Sequence, residues 1–154
     1  MPSNRTIEGI KMDVKISPLA INSINEYAKT KYPLEVCGIL LRDEKSNVIT
    51  KAKQIANSFD SAGSAKHFYI NPIALYEEEK KAVKEGLNIV GFFHSHPDCA
   101  ATVSGEDSKY MIPGQIYLIV SLTKKEVLET KAYIKDSPDD TKGRGLSVIT
   151  VIGN

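Results

Sequence analysis

The run Leu-Asn-Ile-Val-Gly-Phe-Phe-His-Ser-His-Pro, residues 87–97, restricts the fold more than any other stretch of the chain. Leu87, Ile89, Val90, Phe92 and Phe93 are nearly continuous apolar residues, which predicts a strand buried on both faces. It ends in two histidines. Side chains two apart on a strand share a face, so His94 and His96 project together, and Pro97, with no N–H to donate, ends the pairing. Ser104-Gly-Glu-Asp107 follows with the signature of a helix start, a serine cap with acidic residues in the first turn. Two imidazoles and one carboxylate, gathered at a strand end and a helix start, would make three ligands for a small cation. Zinc accepts this set, and three protein ligands leave its fourth position open, as in catalytic rather than structural sites.

Each of these residues has a plainer reading. A His-x-His pair also arises by chance on exposed strands, and Ser104 with Asp107 also suits a simple helix cap. The combination around one buried strand end is what carries specificity. His67 is far away in sequence without such company and reads as a surface or strand-edge histidine.

His94-Ser-His96-Pro97, six residues, Ser104, two residues and Asp107 match the JAMM (MPN+) metallopeptidase motif His-x-His-Pro-x6-Ser-x2-Asp, and the chain resembles that family. Glu35, in Tyr-Pro-Leu-Glu-Val-Cys-Gly, fits the family's upstream glutamate; taken alone it would be an exposed loop carboxylate. Asn57, Phe68-Tyr-Ile-Asn-Pro72 and Tyr117-Leu-Ile-Val-Ser121 are further similar features, so the resemblance spans most of the chain and is to the short bacterial and archaeal members. It implies a mixed α/β, α+β-like fold: a curved mixed central sheet flanked by helices, similar to the cytidine deaminase-like fold. It also implies one zinc per chain held by His94, His96 and Asp107, with Glu35 as proton shuttle and Ser104 as oxyanion donor. The helix-capping role of Ser104 competes with that last one.

Length and composition agree. With 154 residues the chain suffices for one domain with a real core, and its 42% hydrophobic and 25% charged residues are those of an ordinary globular protein. A net charge of +1 argues against an electrostatic grip on nucleic acid or anionic membrane. The start, Met-Pro-Ser-Asn-Arg, lacks an apolar leader and no run approaches a membrane span, so a cytoplasmic location is expected. Two cysteines make no disulfide framework: Cys37 reads as a buried core residue. Cys99, between the histidines and Asp107, reads as a plain loop residue, an adventitious ligand or a redox-sensitive thiol.

In chain order, residues 1–13 read as a loose end before a short strand through Val14 and Ile16. Ser17-Pro18 starts a helix with apolar Ala20, Ile21, Ile24, Tyr27 and Ala28, which must end before Pro33. Strands follow at 36–41 and 48–56 around a polar turn, then a small-residue loop at 57–66 and a short strand at 67–70. Asn71-Pro72 caps a second helix that ends at Gly86. Beyond the motif, strands are predicted at 115–122, 127–134 and 146–152, the last two separated by a loop at 136–145.

The resemblance implies hydrolysis of the amide bond after the C-terminal Gly-Gly of a ubiquitin-like or ThiS/MoaD-type sulfur-carrier protein. Two other classes stand beside it: a metal-free scaffold of MPN type, and a zinc hydrolase or deaminase of small molecules. The intact set Glu35, His94, His96, Ser104 and Asp107 speaks against the scaffold, and the absence of a Cys-x-x-Cys pair against the deaminase.

Overall fold

The computed structural model of the protein describes residues 13–56, 70–103, 111–140 and 143–151. Their elements run β1 (Asp13–Ile16), α1 (Pro18–Lys31), β2 (Cys37–Asp43), β3 (Ile49–Ile55), α2 (Pro72–Lys84), β4 (Leu87–Pro97), β5 (Ile116–Leu122), β6 (Val127–Ile134) and β7 (Arg144–Thr150). Both helices begin as their sequences dictate. The Ser17 hydroxyl accepts the Ala20 N–H at 3.2 Å, and the Asn71 side-chain oxygen accepts those of Ile73 and Ala74 at 2.8 and 3.3 Å. A proline opens each first turn, where its missing N–H costs nothing. Past α2 the chain turns at Gly86, whose φ of 73° suits a residue without a Cβ.

The strands pair in the order β1-β3-β2-β4-β5-β6-β7, and β1 lies parallel to both β3 and β7, closing the sheet into a barrel. The expected curved mixed sheet is present, and closure is the feature it gains. β4 sits in the middle, antiparallel to β2 and parallel to β5. Phe93 points to one side, into a core with Leu40, Leu118 and Val120 beneath Ala20, Ile24 and Ala28 of α1. Phe92 points to the other, with Ile39, Tyr117 and Ala82 of α2. This is the two-sided burial that the apolar run predicts, and each phenylalanine ring so buried contributes roughly 2 kcal/mol.

Two boundaries differ from expectation. β2 continues through Arg42 and Asp43, which pair with Asn88 and Leu87 beyond a bulge, so its polar end stays in the sheet. β7 begins at Arg144 because the residues 132–134 of β6 still have backbone to satisfy there. The strand expected at 67–70 falls largely, and the helix expected from Ser104 entirely, outside the described residues. Among the described residues no helix is long and apolar enough to cross a membrane.

Candidate functional site

β4 carries His94 and His96 to its end on the face of Phe92, and the alternation of a strand turns both imidazoles the same way. Their Nε2 atoms stand 3.1 Å apart. The neighbouring strand reaches the same point. Val36 donates its N–H to the Ser95 hydroxyl at 2.8 Å and accepts the Ser95 N–H at 2.9 Å, which continues the Cys37–His94 pairing by one residue. Glu35 lies two residues before Cys37, just ahead of the start of β2. Burial pushes the Cys37 thiol up to about 12, and the nearby Glu35 carboxylate adds to the shift. Glu35, His94 and His96 are 6%, 1% and 8% exposed, so each of these ionisable groups is nearly dry.

The third strand in this row is β5, where Ser121 pairs with His96, and the fourth is β6, where Glu129 pairs with Ser121. Both turn toward the loop that follows β4. Asp98 takes a left-handed conformation with φ of 58° and donates its N–H to the Leu122 carbonyl at 2.7 Å. Its carboxylate accepts the Tyr32 hydroxyl at 2.6 Å, which raises the pKa of that phenol above its ordinary value. The Cys99 carbonyl accepts from the Ser121 hydroxyl at 2.5 Å. The Ala100 carbonyl faces His96 Nδ1 at 2.8 Å. Ala101 donates its N–H to Glu129 Oε2 at 3.3 Å, and its carbonyl accepts the Tyr133 hydroxyl at 2.7 Å. Burial raises the Tyr133 phenol, with a smaller push from the Glu129 charge. Residues 98–101 are thus each tied by a hydrogen bond from α1's end, β4, β5 or β6.

These contacts fit the binding of a small cation. A carbonyl only accepts, so the proton of a neutral His96 ring sits on Nδ1 and leaves the Nε2 lone pair facing His94. Two nitrogens bound at ~2.0–2.1 Å to one tetrahedral ion stand ~3.3 Å apart, close to the separation found. Among the described residues no cluster of three histidine, cysteine or acidic side chains forms a complete metal site. The structure brings His94 and His96 together and buries Glu35 just ahead of β2, the strand that pairs with theirs; Ser104, Asp107 and His67 lie outside the described residues. Cys37 is buried as expected, and Cys99 is exposed. Sequence reasoning did not reach Glu129 and Tyr133, whose only local sign is a polar side chain at alternate positions of a strand.

Solved structures share this fold. A protein from Desulfitobacterium hafniense aligns with a TM-score of 0.75 at 22% identity, covering 90% of this chain and 92% of that one. One from Salinibacter ruber gives 0.65 at 26% identity with the same coverage, 90% and 92%. A JAB1/MPN domain protein from Archaeoglobus fulgidus gives 0.55 at 20% identity, covering 89% and 98%. In sequence, the desampylase of Haloferax volcanii is 31% identical over 90 residues, 58% of this chain and 63% of that protein. The desampylase of Pyrococcus furiosus is 33% identical over 101 residues, 66% of each chain. Both matches span just under two thirds of the desampylases' own length. The sequence profile described as prokaryotic homologs of the JAB domain matches residues 20–133, a span that includes Glu35, both histidines, Ser104 and Asp107, and the chain belongs to that family.

Proposed function

We propose that the protein is a zinc-dependent peptidase or isopeptidase that hydrolyses the amide bond after the C-terminal Gly-Gly of a ubiquitin-like or ThiS/MoaD-type sulfur-carrier protein. The observation that carries this reading is the convergence of the His94 and His96 Nε2 atoms, 3.1 Å apart, with Glu35 buried just ahead of the neighbouring strand β2. Similarity to two desampylases supports a hydrolase of ubiquitin-like conjugates. The sulfur-carrier substrate is the finer part of the proposal and rests on the resemblance to short prokaryotic JAMM proteins.

In this reading His94, His96 and Asp107 hold the zinc. When bound, the metal supplies Lewis acidity and lowers the pKa of a water toward ~7. Glu35 takes the proton from the attacking water and returns it to the leaving amine nitrogen. Its burial matters here, because a proton held away from bulk solvent reaches the amine rather than being lost. Ser104 donates its hydroxyl hydrogen to the carbonyl oxygen as negative charge develops there. Glycines in the substrate tail let its backbone approach the histidines closely, since they carry no Cβ.

Mass spectrometry of a sulfur carrier bearing a C-terminal extension, incubated with the zinc-loaded protein, tests the reaction. The expected product ends at Gly-Gly, and a Val-Val tail blocks cleavage more than it weakens carrier binding. An intact carrier, or equal cleavage of both tails, overturns the substrate assignment.

A further inference from the structure

We propose that Glu129 is a positioning residue for His96, acting through the single peptide unit that joins Ala100 to Ala101. The proposal rests on the metal-site reading above and extends it to a side chain on another strand. Its basis is the geometry of a trans peptide, whose C=O and N–H lie in one plane and point in opposite directions. Here the two ends of one such unit are both engaged. The Ala100 carbonyl accepts from His96 Nδ1 at 2.8 Å, and the Ala101 N–H donates to Glu129 Oε2 at 3.3 Å. The peptide is therefore held between an imidazole and a carboxylate.

This arrangement controls what His96 can do. The ring offers Nε2 to a cation only while Nδ1 keeps its hydrogen, and the Ala100 carbonyl is the acceptor that keeps it there. A carbonyl in a loop fixes a tautomer only if its own peptide plane is fixed. Glu129 supplies that constraint from the far side, and its negative charge polarises the peptide so that the carbonyl is a stronger acceptor. The effect is that of a carboxylate bonded directly to a metal-ligating histidine, passed on through one peptide group. Tyr133 and Ser121 hold the flanking carbonyls of Ala101 and Cys99, which keeps the plane from rotating. Glu129 also lies 3.8 Å from Lys131, a contact too exposed to set its orientation alone.

The test compares zinc dissociation constants, measured by competition with a chromophoric chelator, for the parent and three variants. Glu129→Ala is expected to weaken zinc by about 10- to 100-fold. Glu129→Gln, whose amide oxygen still accepts the Ala101 N–H, is expected to lose less. Glu126→Ala, which removes an exposed carboxylate without touching the loop, is expected to bind as the parent does. The melting temperatures of metal-free Glu129→Gln and Glu126→Ala should match the parent's, while Glu129→Ala, which leaves the buried Ala101 N–H without its acceptor, should melt slightly lower. In metal-free protein, nitrogen NMR of the neutral His96 ring should show the Nδ1–H tautomer in the parent and a mixture in Glu129→Ala. A parent that binds no zinc refutes the metal reading, while the tautomer signal still reports on Glu129. Parent-like zinc binding and an unchanged tautomer in Glu129→Ala, or an equal loss in Glu126→Ala, overturns the proposal.

Discussion

Gly38 faces the ring of Phe93 so closely that a methyl group on it would overlap both that ring and the Lys53 carbonyl. The two residues pair across β2 and β4, directly beside the Cys37–His94 pair. On its other side the Phe93 ring stacks on Tyr27 of α1, with centroids 6.0 Å apart and planes 12° from parallel. The ring has nowhere to retreat. Gly38→Ala is therefore expected to destabilise the protein by about 1–3 kcal/mol, the usual cost of overpacking a filled core. Thermal denaturation checks this, and an unchanged midpoint would mean that the ring repacks without strain.

The proposed chemistry separates metal ligands from the proton carrier. His94→Ala leaves too few ligands and is expected to purify with little or no zinc. Glu35→Gln keeps shape and polarity and is expected to retain zinc while losing turnover. Metal content by elemental analysis, read beside cleavage rate, distinguishes the two, and parent-like turnover in Glu35→Gln would remove its role.

The two cysteines should differ sharply toward thiol reagents. Cys37 is buried, its thiol is raised to about 12, and its sulfur lies 3.6 Å from the Ile55 carbonyl. Only the thiolate attacks, and Cys99 is exposed. Iodoacetamide should modify Cys99 in the native protein and Cys37 only after unfolding, as peptide mapping would show. Fast labelling of both would mean that the start of β2 opens readily.

Arg144 grips Asp136 with two hydrogen bonds, 3.0 Å from Nε and 2.9 Å from Nη2, and joins the end of β6 to the start of β7. Its hydrogen bonding holds the Asp136 carboxyl below the usual range. A carboxylate with a depressed folded pKa contributes stability above its unfolded value of ~3.9, lost as pH falls through the folded one. Both side chains are about half exposed, so solvent screening keeps the contribution under ~1 kcal/mol. Asp136→Asn should lower stability by that small amount at neutral pH and match the parent in strong acid. Urea titrations at both pH values check this, and a gap that widens in acid would contradict the sign.

Much of this arrangement is legible in the residues themselves. Ser17-Pro18 and Asn71-Pro72 announce two helix starts through backbone chemistry that acts within one turn, and both lie where expected. The shared direction of His94 and His96 follows from strand alternation alone. Long-range pairing left no such mark. β1 is only four residues long, too short for a pattern that would tell where it docks. Glu129 meets Ala101 across 28 residues of sequence, and nothing local distinguishes it from a solvent-facing carboxylate. For Ser104 and Asp107 the sequence motif and the family match remain the basis of their proposed roles.

The parallel seam between β1 and β7 joins Asp13 to Ser147, nearly opposite ends of the sequence. A ribosome makes β1 early and β7 long afterwards, so a growing chain can hold β2 beside β4 while the barrel still has two open rims. Such rims can pair with other chains, which makes the nascent protein exposed to misassociation until its last strand docks. Contacts of such wide sequence separation also form slowly. Synthesis therefore delivers the histidine-bearing strand well before β7, whose pairing with β1 seals the barrel.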